Sequence, residues 1–191
     1  MKVSNKKEDF LQESLKLIHE KGFKATTMRD IAERMNFDVS NSYNYIKSKH
    51  EILEGFLFGT SAEFHSAMDN VLSSSYSPDE KLKQIISSHI TIASTKPFEV
   101  ALMVNEWRNL KEPKYTEYIK LRDSYEEKLG SLLLEGIEMG VFKAFDITIA
   151  KSVILSSLRW FYDSYATNNP NINPIELERQ IVSFLFKGFL E

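Results

Sequence analysis

The chain has 191 residues, of which 42% are apolar and 27% charged, with a formal net charge of −3 and no cysteine. That length and balance suit one or two small soluble domains with a real core, and the missing cysteines exclude disulfides, thiol nucleophiles and Cys-ligated zinc together. The opening MKVSNKKEDFLQ holds no apolar run of leader length and no long apolar stretch follows, so the expectation is a cytoplasmic protein with no membrane span. The charge is unevenly spread: residues 1–50 carry ten Lys and Arg against seven Asp and Glu, and the remainder fourteen against twenty. A basic N-terminal part is the direction that nucleic acid binding requires.

In chain order, the first helix is predicted over 7–22, where Leu11, Leu15 and Ile18 share a face, Gly22 is the stop and Phe23 continues the buried side. ATTMRDIAERM reads as a short second helix with Thr27 as N-cap and Asp30 placed to answer the cap. Asp38 then caps a third helix of about two turns, and Ser48 or Lys49 opens a fourth that runs to 72. SSSYSPDE is the sharpest compositional break. Beyond it the periodicity predicts helices at 79–95, 97–110, 114–140, 146–168 and 174–189, punctuated by Pro97, Pro113, Gly140 and NNPNINP. About nine helices and no strand alternation make the fold class all-α.

The stretch FDVSNSYNYIKSKHE is poor in the leucines that a packing helix uses. Val39, Ser42 with Tyr43, and Ile46 form a narrow packed side, while Ser40, Asn41, Asn44 and Lys47 lie opposite. Small polar residues let a backbone lie close to a duplex, and Asn amides can read base edges in the major groove. Tyr43 and Tyr45 offer phenol hydroxyls to phosphates, and Lys49 supplies a cation beside them. The Thr27 cap with its neighbouring N–H groups makes a further phosphate seat. Taken singly, each residue also has a plainer reading. Either tyrosine can be a packed aromatic, Lys49 a solvated charge, and Arg29 a partner of Asp30 or Glu33.

Lys21-Gly22-Phe23, Ala25-Thr26-Thr27, Arg29-Asp30-Ile31-Ala32, Tyr43, Tyr45 and Lys47-Ser48-Lys49, in unbroken order over about 8–58, resemble the helix-turn-helix domain of the TetR family (TetR/AcrR-like) of bacterial transcriptional regulators. The resemblance implies that Thr27, Tyr43 and Lys49 contact phosphates and that Arg29, Val39, Ser40, Asn41 and Asn44 are candidates for base readout. It places a DNA-binding domain at 1–48, a connecting helix at 49–72 and an effector-binding and dimerisation domain at 73–191. Three positions depart from the family pattern: Ser42 stands where a buried leucine is usual, Asn36 replaces a turn glycine, and Asp38 replaces a serine-like cap.

In the acidic C-terminal part, Ile147, Ile154, Leu158, Phe161 and Tyr165 form one apolar stripe, with Val153 and Trp160 on a second and Ser156 and Ser157 small enough for close approach. IVSFLFKGFL is apolar almost all round. Helices apolar on two faces need two partners, and TetR-like proteins pair through their last two long helices. The candidate interface is Val153, Ser157, Trp160, Phe161, Ile181, Phe184, Leu185 and Gly188, serving a homodimer. The segment from NEWRNLKEPKY to LRWFYDSY is similar to TetR-type regulators that respond to acyl-CoA thioesters. That similarity implies an effector site of Met103, Trp107, Arg108, Arg122, Tyr125 and Trp160, with the two arginines toward an anionic head; Glu106 and its acidic neighbours can instead pair with those arginines.

Four scattered histidines lack metal-ligand spacing, and no Gly-rich phosphate loop or activated nucleophile is present. No metal, cofactor or catalytic activity is expected. The partners expected are double-stranded operator DNA, a second copy and a small apolar or acyl-CoA effector, with no membrane. The function so read is a repressor released from an inverted repeat by its effector. The alternative is an all-helical dimeric interaction protein that does not use its helix-turn-helix on DNA.

Overall fold

The structure, a computed structural model, describes residues 6–166 and 173–189. All regular elements among these are helical: α1 (Lys6–Lys21), α2 (Met28–Arg34), α3 (Val39–Ser42), α4 (Lys49–Leu72), α5 (Pro78–Thr95), α6 (Pro97–Asn105), a 3-10 turn (Trp107–Asn109), α7 (Lys114–Glu138), α8 (Ile147–Arg159), α9 (Phe161–Ala166) and α10 (Pro174–Phe189). Local chemistry sets most of the boundaries. Gly22, at φ +82°, ends α1, and Gly140, at φ +71°, follows α7; both conformations suit a residue without Cβ. Ser77 and Glu80 form a capping box on α5 with Pro78 in its first turn, and the Asp146 carboxylate accepts the Ile149 N–H, 2.9 Å, at the start of α8.

The sequence expectation of one helix over 146–168 meets a break at Trp160. There the chain separates α8 from α9 and Phe161 turns wholly into the core. Most of NNPNINP lies outside the described residues.

The helices sort into two compact units. The first comprises residues up to Thr60 together with Phe98–Tyr118, and the second comprises Ser61–Pro97 with the chain from Ile119 onward. Segment 98–118, which the sequence reading groups with the C-terminal domain, therefore packs with the N-terminal helices. Its Leu102, Leu110 and Tyr118 join Phe10, Leu15, Ile18, Phe23, Ile31, Leu53 and Leu57 in one core. Truncating a fully enclosed member such as Phe10 removes about 3–5 kcal/mol of stability.

In the second unit Leu82, Ile86, Ile90, Leu129, Leu132, Leu133, Ile154 and Phe161 form the core. A polar pair sits beside it: the His89 ring nitrogen Nε2 lies 2.7 Å from the Tyr125 hydroxyl, and the Phe64 ring lies tilted against His89 with centroids 4.7 Å apart. Burial pushes His89 down to about 4, with Arg159 adding to the shift, and pushes the Tyr125 phenol up. Both groups are neutral at physiological pH.

Two expectations follow. A Cβ at Gly136 would lie 2.2 Å from the Phe142 ring, whereas one at Gly59 on α4 would meet nothing within 4 Å. Gly136→Ala therefore lowers stability by about 1–3 kcal/mol, while Gly59→Ala raises it by roughly 0.5–1 kcal/mol; denaturant unfolding reads the opposite signs. His89 has a folded-state value below its ordinary one, so the unfolded chain binds the extra proton first. Its contribution is complete above pH 6.5 and is lost as pH falls toward 4. Unfolding measured across that window shows a loss of up to about 3 kcal/mol that is absent from His89→Gln.

Candidate nucleic-acid interface

The interface grows from the turn between α1 and α2. Gly22 accepts the Thr26 N–H at 3.2 Å and the Thr26 hydroxyl at 2.9 Å. Thr27 then caps α2: its hydroxyl accepts the Asp30 N–H at 3.1 Å, and Asp30 accepts the Thr27 N–H at 2.7 Å. The Thr27 hydroxyl and the Lys21 ammonium, 3.0 Å away, donate to the Asp30 carboxylate and hold it well below the usual carboxylate range. Ile31 and Ala32 bury the inner face of α2 and leave Arg29 exposed on the outer one.

Between α2 and α3 the chain must reverse, and Asn36 does this at φ +55°. Asparagine tolerates the left-handed region better than other residues with a Cβ, which is why it can stand in for the turn glycine. Phe37 donates to the Ala32 carbonyl at 2.9 Å and closes the turn. The third helix is shorter than expected, one turn of four residues followed by tight turns through Tyr45. Asp38 occupies the N-cap position in extended backbone but makes no side-chain cap bond. With so few apolar residues, little packing energy is available to extend the helix.

Tyr43, expected on the packed side with Ser42, lies in water instead, because α3 ends at Ser42 and the chain turns there. Ser42 and Ile46 are buried and Val39 half-buried, while Ser40, Asn41, Tyr43, Asn44 and Lys47 are exposed, Tyr43 by 53%. Ser42, in the place of the usual leucine, is fully enclosed with its hydroxyl oxygen unpartnered.

Two expected phosphate contacts are placed differently. Tyr45 turns inward and stacks on Phe10 at 5.6 Å and on Phe37 at 6.0 Å, so its ring is a core element. Lys49 is half-buried: its ammonium donates to the Phe23 and Thr26 carbonyls and lies 4.3 Å over the Phe23 ring. Burial lowers its pKa, opposed by the charges of Glu106 and Asp30. Two of its three donors serve the turn, so Lys49 holds the interface together from within.

Glu106 is the residue that sequence reasoning did not assign to this site. One carboxylate oxygen accepts the Phe23 N–H at 3.1 Å and the other accepts the Asn109 side-chain amide at 2.7 Å. It lies 83 positions from Phe23, and no local pattern announces such a contact.

The six expected effector residues divide between the units. Met103 and Trp107 pack on the N-terminal core, and Arg108 lies over the Trp107 ring at 4.3 Å. In the C-terminal unit Tyr125 bonds His89, Arg122 is half-buried on α7, and Trp160 is 51% exposed. A cleft of about 30 Å³ beside Leu15, His19, Phe98 and Glu106 has room for one water, not for an effector.

Of the expected interface residues, Val153, Trp160 and Phe184 are exposed, and Ile181 and Ser157 are half-buried. Phe161 and Leu185 are corrections, since both are enclosed in their own core and cannot face a second copy. Ile149 and Ile175, absent from the expected set, are exposed on the same two helices. Gly188 falls outside the residues whose packing is described.

No helix of the described residues is long and apolar enough to cross a membrane, and no group of three or more acidic or histidine side chains among them is placed to hold a metal ion. Residues 10–55 match the profile described as bacterial regulatory proteins, tetR family, and residues 75–189 match the tetracyclin repressor-like C-terminal domain. The HTH-type transcriptional repressor KstR2 of Mycolicibacterium smegmatis is 23% identical over 164 residues, covering 83% of this chain and 80% of that protein. The fatty acid metabolism regulator protein of Bacillus subtilis (strain 168) is 23% identical over 179 residues, 92% of this chain and 91% of its own. The solved structure of AibR in complex with isovaleryl coenzyme A and operator DNA superposes with a TM-score of 0.81 at 18% identity, covering 95% of this chain and 98% of that one. With both profiles matched and an all-helical fold that begins in a helix-turn-helix, this chain belongs to the TetR family of bacterial transcriptional regulators.

Proposed function

We propose that this regulator works as a homodimeric repressor in the cytoplasm, binding an inverted-repeat operator through paired α3 segments and released by an acyl-CoA or related apolar effector. It acts by binding and not by catalysis. The observation that carries the reading is the joint exposure of Ser40, Asn41, Tyr43, Asn44 and Lys47 along 40–47. Between them Ser42 and Ile46 are buried, and Val39 is half-buried. Asn41 and Asn44 suit adenine edges, Tyr43 and Lys47 suit phosphates, and Arg29 from α2 suits a guanine or a phosphate.

Pairing is supported by apolar side chains left in water. Ile149 and Val153 on α8, Trp160 just after it, and Ile175 and Phe184 on α10 are 48–78% exposed. A second copy would cover them and set two α3 segments on consecutive half-sites. The effector class is supported by the isovaleryl coenzyme A bound to AibR and by the fatty acid regulator's name. Release is a population shift, so operator must weaken effector binding by the factor with which effector weakens operator binding.

Selection of bound duplexes from a random pool should recover an inverted repeat. On that duplex Tyr43→Phe weakens binding to all sequences alike, and Lys47→Ala also lowers the slope of log affinity against log salt by about one. Asn44→Ala changes the preferred base at one half-site position, a discrimination of about 1–3 kcal/mol. Unchanged binding in all three would remove α3 from the interface. A series of acyl-CoA thioesters, titrated into the complex, should release the duplex; release by none of them would refute the effector class and leave the DNA reading standing.

A further inference from the structure

We infer that Glu106 is a positioning residue for DNA binding: its carboxylate fixes the α1–α2 turn that aims the helix-turn-helix. The inference rests on the DNA-binding reading and deepens it.

The backbone of this turn is held from two sides. Lys49, at the start of α4, donates to the Phe23 and Thr26 carbonyls. Glu106, just after α6, takes the Phe23 N–H at 3.1 Å. Phe23 is thus bonded through both of its backbone polar groups by opposite charges that reach it from distant parts of the chain. The carboxylate is itself pre-aimed. Its second oxygen accepts the Asn109 amide at 2.7 Å, and that same amide donates to the Glu106 backbone carbonyl at 3.2 Å. A carboxylate accepting from a backbone N–H makes one of the stronger hydrogen bonds available, and here it is partly screened from water.

The turn leads directly into α2, and α2 is bonded through Phe37 to the approach of α3. An untethered turn would have to be ordered again on each encounter with DNA, at a cost to affinity. Segment 98–118, which carries Glu106, continues at both ends into the C-terminal unit.

The test compares wild type, Glu106→Ala and Glu106→Gln on the duplex recovered by selection, across a salt series, with the active fraction fixed by titration. The alanine variant should bind at least about fivefold more weakly and show a shallower salt slope, because a misaimed helix-turn-helix meets fewer phosphates. Glutamine keeps an acceptor for the Phe23 N–H and should stay within about twofold of wild type. Wild-type affinity in Glu106→Ala overturns the inference. So does a loss with an unchanged slope, which marks simple destabilisation, and so does equal loss in Glu106→Gln. If wild type shows no salt-dependent duplex binding, the DNA reading itself fails, and that is seen before any variant is made.

Discussion

Residues 22–27 form six positions of irregular chain in which Gly22, Phe23, Thr26 and Thr27 each have partners for both backbone polar groups. Gly22 supplies the left-handed turn, Thr26 bonds back to it, Lys49 and Glu106 take the two ends of Phe23, and Asp30 closes on Thr27. A loop this close to a core cannot leave its amides unpaired without losing about 1–3 kcal/mol for each. The partners are therefore as much a condition of the fold as the apolar contacts are. Lys49 and Glu106 come from outside the first two helices, so the N-terminal helix-turn-helix is not self-sufficient. It needs the start of α4 and the segment after α6 to hold its shape.

That dependence frees α3 from structural duty. An element held by its neighbours' turn, by Ile46 and by the stacked Phe10, Phe37 and Tyr45 does not need its own apolar face to be broad. Four residues of helix suffice, and the polar residues can project outward. The buried Ser42 hydroxyl without a partner shows the limit of this economy: a small side chain fits where leucine is usual, but its oxygen is stranded.

Much of this was legible in the sequence, and the failures share a physical cause. Thr27, Asp30, Gly22 and the all-helical pattern are local signals, read from spacing within a few residues, and the structure places them as expected. The exposed face of α3 is local too. Lys49 and Tyr45 are less exposed than residue type alone suggests, because their environments are set by Phe23, Phe10 and Phe37, which lie 26 to 35 positions away or 8 positions back across a turn. Glu106 was invisible for the same reason at greater range. At the C-terminal helices the two-faced pattern was readable in outline. Phe161 shares the enclosed stripe of Ile154 and Leu158, and Leu185 is enclosed beside Phe186 on α10; an apolar side chain alone does not say which of two apolar faces meets the chain's own core.

The placement of segment 98–118 bears on how a ligand could be felt at the DNA surface. Met103 and Trp107 pack on the same core that contains Phe10, Phe23 and Ile31. A change in the packing of those two side chains therefore bears on the DNA-binding helices at first hand, with no long relay of small displacements. Packed cores respond to such disturbance by switching between discrete arrangements and not by yielding gradually. A charged tether such as Glu106 adds direction, because its hydrogen bond to the Phe23 N–H needs both a short distance and an aligned donor, whereas an apolar contact sets no angle. The combination of a shared core with a short-range tether is what a regulator needs if modest binding energy is to produce a decisive change in DNA affinity.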